Sequence, residues 1–423
     1  MWSNWSRGQS CAPAEHVRPG SRAELAAAVA RGRAVRVAGA GHSFSGGVVT
    51  DGTLLSLERL DRVLDVDRES GLVRTEAGIP LHRLVRELHG HGLALPNLGD
   101  IDVQSLAGAL ITGTHGTGAR LGNLASGVEA MELVLADGTE RTLTDGDELR
   151  AARVGLGALG VVAAVTMRCV PSFRLHAVDR PLPLVDVLGS LDEHADGNDH
   201  FELFTFPHSP LALTRTNNRT EAPPSPLHRR REWLQDVLMD NHAFWLLNRA
   251  AKAVPRAIPH INRLAGRSAS KRERVAESFD VFASPRLVRF EEMEYALPRA
   301  RAADAVRAAR EILARHPVSF PIELRFSGPD DALLSPAHAR ESAYVAVHVF
   351  EGMEFETPFR EIEAAMRAWD GRPHWGKRSF LGADELAPRY PRWDAFAAIR
   401  RQLDPGGRFV NPWIARTLGV QGV

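Results

Sequence analysis

Lysine is almost missing from this chain: Lys252, Lys271 and Lys377 are the only three among 52 basic residues. Against so strong a preference for arginine, each surviving lysine is a candidate for a role that a guanidinium cannot fill. Cysteine is scarcer still. Cys11 and Cys169 lie far apart and form neither a metal-ligand nor a redox spacing. Cys169, at the end of the apolar run from Val161, reads as a buried strand residue, and a reducing compartment fits. No apolar run approaches the length of a membrane span, and Met1 to Arg7 lacks the uninterrupted apolar core of a signal peptide. The expected location is therefore the cytoplasm. The formal net charge is zero, which argues against nucleic acid as the main partner, because that role needs a concentrated basic surface.

What is present is an ordinary globular composition, 44% hydrophobic and 25% charged, over 423 residues. That length predicts two domains. Ser21 and Glu24 have capping-box spacing and predict a helix over 20–31. Leu81 to Leu88 has helical spacing and stops at Gly90. Short strands are expected at Leu54–Leu57, Val63–Val66 and Leu72–Thr75. Asp137-Gly138 predicts a hairpin between Ala130–Leu135 and Thr139–Leu143. A helix at 148–153 then leads into a strand over 161–169. These elements make an α+β module ending near Pro171. Beyond it, strands of an antiparallel sheet are expected at 200–206, 211–216, 322–326 and 344–350. An Arg- and Pro-rich insertion, Glu221 to about Arg274, separates them and contains helical stretches such as 233–239. Its aromatics predict a cap packed on its own domain, in preference to a membrane-surface helix.

Three glycine-rich stretches compete for attention. Gly155-Leu156-Gly157-Ala158-Leu159-Gly160 is a literal GxGxxG. It lies between a helix and a following strand, the reverse of the dinucleotide fingerprint, so tight packing explains it at least as well as a backbone amide near a ligand. Gly113-Thr114-His115-Gly116-Thr117-Gly118 has no following Gly-Lys-Ser/Thr, so nucleotide hydrolysis is unsupported. The small residues before it, from Ser105 to Thr112, can pack along a flat ring or a diphosphate. The third stretch, Ala38 to Gly47, follows a short strand and is built mostly of glycine, alanine and serine, so its amides can approach a bulky anion closely. A loop that only had to turn would not need the imidazole of His42 at its tip.

Gly39-x-Gly41-His42-Ser43-Phe44, Asn97-Leu98-Gly99-Asp100-Ile101, Ala107-Gly108 and Gly113 to Gly118 together resemble the FAD domain of the vanillyl-alcohol-oxidase fold. His200-Phe201-Glu202, Phe206-Pro207-His208, Glu323-Leu324-Arg325, Arg372 to Lys377, Tyr390 to Trp393 and Leu403 to Asn411 are similar to the aldonolactone oxidoreductases, the gulono-, galactono- and arabinono-1,4-lactone oxidases and dehydrogenases. Alditol oxidases share several of these motifs. The resemblance covers nearly the whole chain and is weakest from Glu221 to Val281. It implies an α+β, two-domain fold: a mixed FAD-binding domain over 1–171 and a substrate or cap domain with an antiparallel sheet over 172–423. A segment from about 385 to 423 is expected to pack back on the FAD domain.

The resemblance also implies residue roles. His42 corresponds to a histidine joined covalently to the 8α carbon of FAD, and a neutral imidazole is a competent nucleophile for that bond. Ala38, Gly39, Ala40, Gly41, Ser43, Gly99, Ser105, Gly108, Ile111, Thr112, Gly113, His115, Val161 and Asn411 are expected around the cofactor, and no metal is expected. Glu323 and Arg325 are two apart on a strand and share a face. A solvated ion pair would account for them without the resemblance. With it, Glu323 is a ligand for substrate hydroxyls and Arg325 a cation facing the reacting alcohol. Lys377 would stabilise negative charge on the flavin, and Arg325 and Lys377 together would favour the substrate alkoxide.

Asp100 and His348 are expected in the substrate pocket, although a satisfied core histidine is an equally good account of His348. Gly99 occupies a position where glycine accompanies reaction with oxygen, which leaves oxygen or another acceptor open. Asp100 replaces the serine of alditol oxidases, which favours a sugar lactone over a polyol as the small-molecule partner. Membrane association is not expected. The alternatives are an alditol oxidase and a catalytically silent flavin-binding protein.

Overall fold

A computed structural model describes residues 1–225, 242–268 and 270–420. The helical stretch expected at 233–239 lies outside the described residues. In the first half, a small parallel sheet sets Thr53–Ser56 between Glu15–Val17 and Arg36–Ala38. The helix Arg22–Arg31 crosses it, and its Ser21 side chain accepts the Glu24 N–H. Glu24 reaches back to the Gly20 amide at 2.8 Å, one residue beyond a strict capping box. Leu25, Ala28 and Val29 make the helix's buried stripe.

Beside this lies a five-stranded antiparallel sheet in the order Glu140–Leu143, Val128–Val134, Val161–Arg168, Leu72–Glu76, Val63–Asp67. The Asp137-Gly138 hairpin forms as expected, with Gly138 at φ 85°. A Cβ there would stand 2.9 Å from the Ala26 carbonyl oxygen, so glycine also lets the turn touch the first helix.

The second half is an eight-stranded antiparallel sheet. Its order is Arg272–Glu277, Arg174–Pro183, Leu211–Thr220, His200–Thr205, Ile322–Ser327, Ser342–Phe350, Phe290–Pro298, Arg372–Pro373. All four expected strands are present, and Leu211–Thr216 runs on to Thr220. The strands at 174–183, 272–277, 290–298 and 372–373 are additional. One face of the sheet carries Ile322, Leu324, Phe326, Met293, Tyr295, Leu297, Val345 and Val347 into a core shared with the helices Ala302–Leu313 and Glu356–Arg367. Period-two alternation therefore sends Glu202, Glu292, Glu294, Glu323, Arg325 and His348 to the other face, which looks toward the first half of the chain.

The C-terminal helices Trp393–Leu403 and Pro412–Leu418 return to the N-terminal half. Phe396, Leu403, Phe409, Ile414 and Leu418 share one apolar cluster with Leu25, Leu84, Leu110 and Val161. Arg36 fastens this return. Its guanidinium donates to the carbonyls of Gly47, Gly157, Phe409 and Leu156 at 2.6–2.9 Å. Burial pulls its pKa down to about 10, with Asp404 acting against that. The GxGxxG stretch thus supplies carbonyls to an arginine, while Gly157 and Gly160 also line a cleft. The molecule has the α+β architecture that the sequence predicts.

Candidate active site

A groove begins within the first half of the chain and ends at the face between the two halves. Its first stretch is lined by Ala38, Gly39, Ala40, Ser105, Gly108, Ile111 and Val161. The middle is lined by Gly41, His42, Ser43, Gln104 and Thr112. The last widens into a cavity bounded by Gly99, Asp100, His115, Glu323, Arg325, His348 and Lys377. The expected residues therefore converge, with two exceptions. Gly113 packs toward Pro336 and Val154. Asn411 caps the last helix and donates to the carbonyls of Gly46 and Val49, so it braces the His42 loop from behind.

The groove fits a long, flat ligand. A Cβ on Gly39 would come 2.3 Å from Ser105 Oγ, so glycine lets the loop lie against the serine at the start of the small-residue helix Leu106–Ile111. Gln104 donates through Nε2 to Thr114 Oγ1 at 3.1 Å, while its buried Oε1 finds no donor among the described residues. An orphaned acceptor at the junction of cradle and cavity calls for a ligand group. A dinucleotide with a planar ring system meets both demands.

His42 stacks on Trp5, with ring centroids 5.1 Å apart. Burial, then the positive charge of Lys377, lowers its pKa to about 4, so the imidazole is neutral at pH 7. The cavity beyond it has two contrasting walls. Phe290 gathers Trp5, Phe44 and Phe320 around it into an aromatic wall, with ring centroids 5.2–5.8 Å from its own. Facing them is a charged lattice. Arg325 Nε donates to Glu202 Oε2 at 2.9 Å, its Nη2 lies 3.3 Å from Asp100 Oδ2, and it contacts Glu323 directly. Arg286 donates to the same Asp100 oxygen at 2.7 Å. Although burial opposes its charge, Asp100 is held well below the usual carboxylate range by Arg325 and Arg286. Glu323 goes the other way: burial pushes it up to about 7 against the pull of Arg325.

Lys377 Nζ lies 2.5 Å from Glu292 Oε2 and 5.5 Å above the centre of the Phe44 ring. His115, Glu294 and His374 form the one metal-type cluster among the described residues. His374 Nδ1 accepts the Gly376 N–H, so its Nε2 holds the proton and presents no lone pair to a cation. Burial lowers the His374 pKa to about 3.

Trp5, Gln104, Arg286, Phe290, Phe320, Glu292 and Glu294 are among the site residues that sequence reasoning missed. The alternation of Met293, Tyr295 and Leu297 was the available signal for the last two, since it marks a strand whose other face carries the acids.

A dinucleotide cradle that ends in a cavity of paired cations and carboxylates defines an FAD-dependent oxidoreductase. The family described as D-arabinono-1,4-lactone oxidase matches residues 165–417, and an FAD-binding domain matches residues 13–144. An L-gulono-1,4-lactone dehydrogenase of Mycobacterium tuberculosis is 45% identical, with 99% of each chain aligned. An L-gulonolactone oxidase of Scyliorhinus torazame is 34% identical over 99% of this chain and 98% of its own. An alditol oxidase of a Streptomyces species is 34% identical over 97% of both. Among solved structures, a solvent-stable cholesterol oxidase superposes with a TM-score of 0.84 at 19% identity, covering 99% of this chain and 97% of the other. The chain belongs to the aldonolactone oxidoreductase family.

Proposed function

We propose that this protein oxidises an aldono-1,4-lactone of the gulono- or arabinono- type, with FAD held in the groove and tethered through His42. The observation that carries the reading is the cavity next to His42, which brings Glu323, Arg325 and Lys377 together with an aromatic wall. When bound, FAD supplies the hydride acceptor for the carbon bearing the reacting hydroxyl.

The protein's own residues do the rest. Arg325 and Lys377 lower the cost of removing the hydroxyl proton by holding positive charge beside the oxygen. Glu323 accepts a hydrogen bond from a substrate hydroxyl, and the aromatic wall takes the C–H face of the ring. Asp100 already spends its carboxylate on Arg286 and Arg325. It therefore narrows the cavity where a serine would leave room for an extended polyol. His42, neutral at pH 7, has the free nitrogen lone pair that a bond to the flavin 8α carbon requires. Gly99 at the cavity edge favours oxygen as acceptor, with another acceptor as the alternative. The proposed compartment is the cytoplasm, where the free thiols of Cys11 and Cys169 persist.

Anaerobic bleaching of the flavin on a panel of lactones and polyols tests the reading. Fastest reduction by an aldonolactone is expected. Faster reduction by xylitol or sorbitol would make the protein an alditol oxidase, and no bleaching by any sugar would make it a silent flavin binder. Acid precipitation tests the tether: the yellow colour should stay with the pellet, and full release into the supernatant overturns covalency.

A further inference from the structure

Glu292 stands between two groups that the proposed chemistry treats separately. It lies on the strand Phe290–Pro298 directly across from His348 on the neighbouring strand Ser342–Phe350. One carboxylate oxygen, Oε2, holds Lys377 Nζ at 2.5 Å. The other, Oε1, faces His348 Nε2 at 3.4 Å. Both Glu292 and His348 are buried.

The second ring nitrogen decides the protonation state of His348. Its Nδ1 lies 3.2 Å from the carbonyl oxygen of Pro321. A carbonyl only accepts, so Nδ1 carries a proton. Nε2 faces a carboxylate kept ionised by Lys377, and a lone pair pointing at it would be repelled, so Nε2 carries a proton as well. We propose that Glu292 is a positioning residue whose single carboxylate fixes Lys377 and keeps His348 as an imidazolium, so that His348 is a fixed cation of the cavity and not the base that receives the substrate proton.

The neighbours of His348 agree with this. Charged groups face it from three elements: Glu292 on one flanking strand, Glu323 on the other, and Lys377 from the loop after Arg372–Pro373. Phe290 and Phe320 close the remaining sides with centroids 5.0 and 6.1 Å away. Burial is the largest influence and opposes the charge, as does Lys377. Glu292 and Glu323 overcome both, and the His348 pKa lies above its ordinary value. Glu292 itself faces Lys377, His348 and Glu294. Despite burial, the two cations hold it below the ordinary carboxylate value. With both N–H groups engaged, His348 has no lone pair for a hydroxyl proton. It contributes positive charge beside Lys377 instead.

The inference rests on this cavity being the lactone-oxidising centre, and its first readout needs no substrate. The flavin-loaded protein, carrying 13C-labelled histidine, is titrated by NMR, with His348→Asn used to assign the signal. The expected result is an imidazolium Cε1 shift for His348 at about pH 6.5, with a titration midpoint above the ordinary histidine value near 6.5. In Glu292→Gln the midpoint should fall below that value. A neutral His348 in the unaltered protein overturns the proposal, and so does an imidazolium that persists in Glu292→Gln. The titration of the unaltered protein decides the matter even if that variant fails to fold. The second readout is kinetic: Glu292→Gln should lower kcat about tenfold or more with a smaller change in KM, and Glu292→Asp should restore part of it. A change confined to KM contradicts the positioning of Lys377. If no lactone is oxidised, the functional reading fails while the NMR result still stands or falls by itself.

Discussion

Glu202 and Arg325 occupy directly opposed positions on the neighbouring strands His200–Thr205 and Ile322–Ser327, and Arg325 Nε donates to Glu202 Oε2 at 2.9 Å. The same glutamate takes Arg215 Nη1 at 3.1 Å through its other oxygen. Glu202 thus aims Arg325 from behind the cavity. Replacing it with leucine removes one charged partner from Arg325, which keeps Asp100 and Glu323, and one from the half-buried Arg215, which keeps Asp179, and is expected to cost about 2 kcal/mol of stability. Chemical denaturation measures this. A loss under about 0.5 kcal/mol, the range of ordinary surface substitutions, would remove Glu202 from that role.

Lys377 is the partly buried lysine of the cavity, placed over Phe44 and beside Glu292. Lys377→Met removes a charge needed more in the transition state than in the bound substrate. The expected result is a fall in kcat of about 100-fold or more, with KM changed far less. Steady-state kinetics on the preferred lactone decide it, and Lys377→Arg should recover only part of the activity.

Glu323 titrates near neutrality because burial outweighs its contact with Arg325. Its folded-state pKa is raised, so the folded chain binds a proton more tightly than the unfolded one over this range. Its contribution to stability is therefore most favourable below the unfolded value of about 4.5 and declines as the pH rises through about 7. If the ionised form accepts from substrate, kcat/KM should rise with pH over the same interval. Glu323→Gln should flatten both profiles. A rate limb that survives the substitution belongs to another group.

Gly39 leaves no room for a side chain against Ser105. Gly39→Val should sharply lower flavin occupancy, read as the ratio of flavin to protein absorbance. Gly39→Ala combined with Ser105→Gly should recover more flavin than Gly39→Ala alone, because the obstructing hydroxymethyl is gone. Equal occupancy in these two variants would show that the close approach does not shape the cradle.

At Gly99 an added Cβ would stand 3.3 Å from Thr114 Cγ2 and 3.4 Å from the His115 carbonyl oxygen. Gly99→Ala therefore crowds the cavity edge beside Thr114 and His115, where the proposed oxidase reading needs room for oxygen. Reoxidation by oxygen in stopped flow should slow, with anaerobic reduction by the lactone changed less. Unaltered reoxidation would place oxygen entry elsewhere.

The cofactor half of the site was legible because its signals are local. A strand followed by glycine, alanine and serine around His42, and small residues from Ser105 to Thr112, describe a cradle within short windows. Glu323 and Arg325 could be read because period two puts them on one face. Lys377 stood out through the rarity of its residue type. For Glu292 and Glu294 the alternation of Met293, Tyr295 and Leu297 marks a strand but not a site: charged residues on a strand ordinarily mark a solvated face, and theirs is buried only because Lys377, His348 and His115 arrive from other elements. Trp5 and Arg286 were missed for a related reason. Each reaches the cavity from an irregular segment, where neither period applies.

The grip of Arg36 on the Phe409 carbonyl also sets a timetable for the molecule. Residues 1–171 are translated well before Phe409, which forms one wall of their cradle. A nascent chain can close the parallel sheet long before it can close the cleft around it. Cofactor capture therefore waits for Phe409, and a chain cut short before it would present an open half-site with exposed apolar surface, fit for chaperones and proteases more than for flavin.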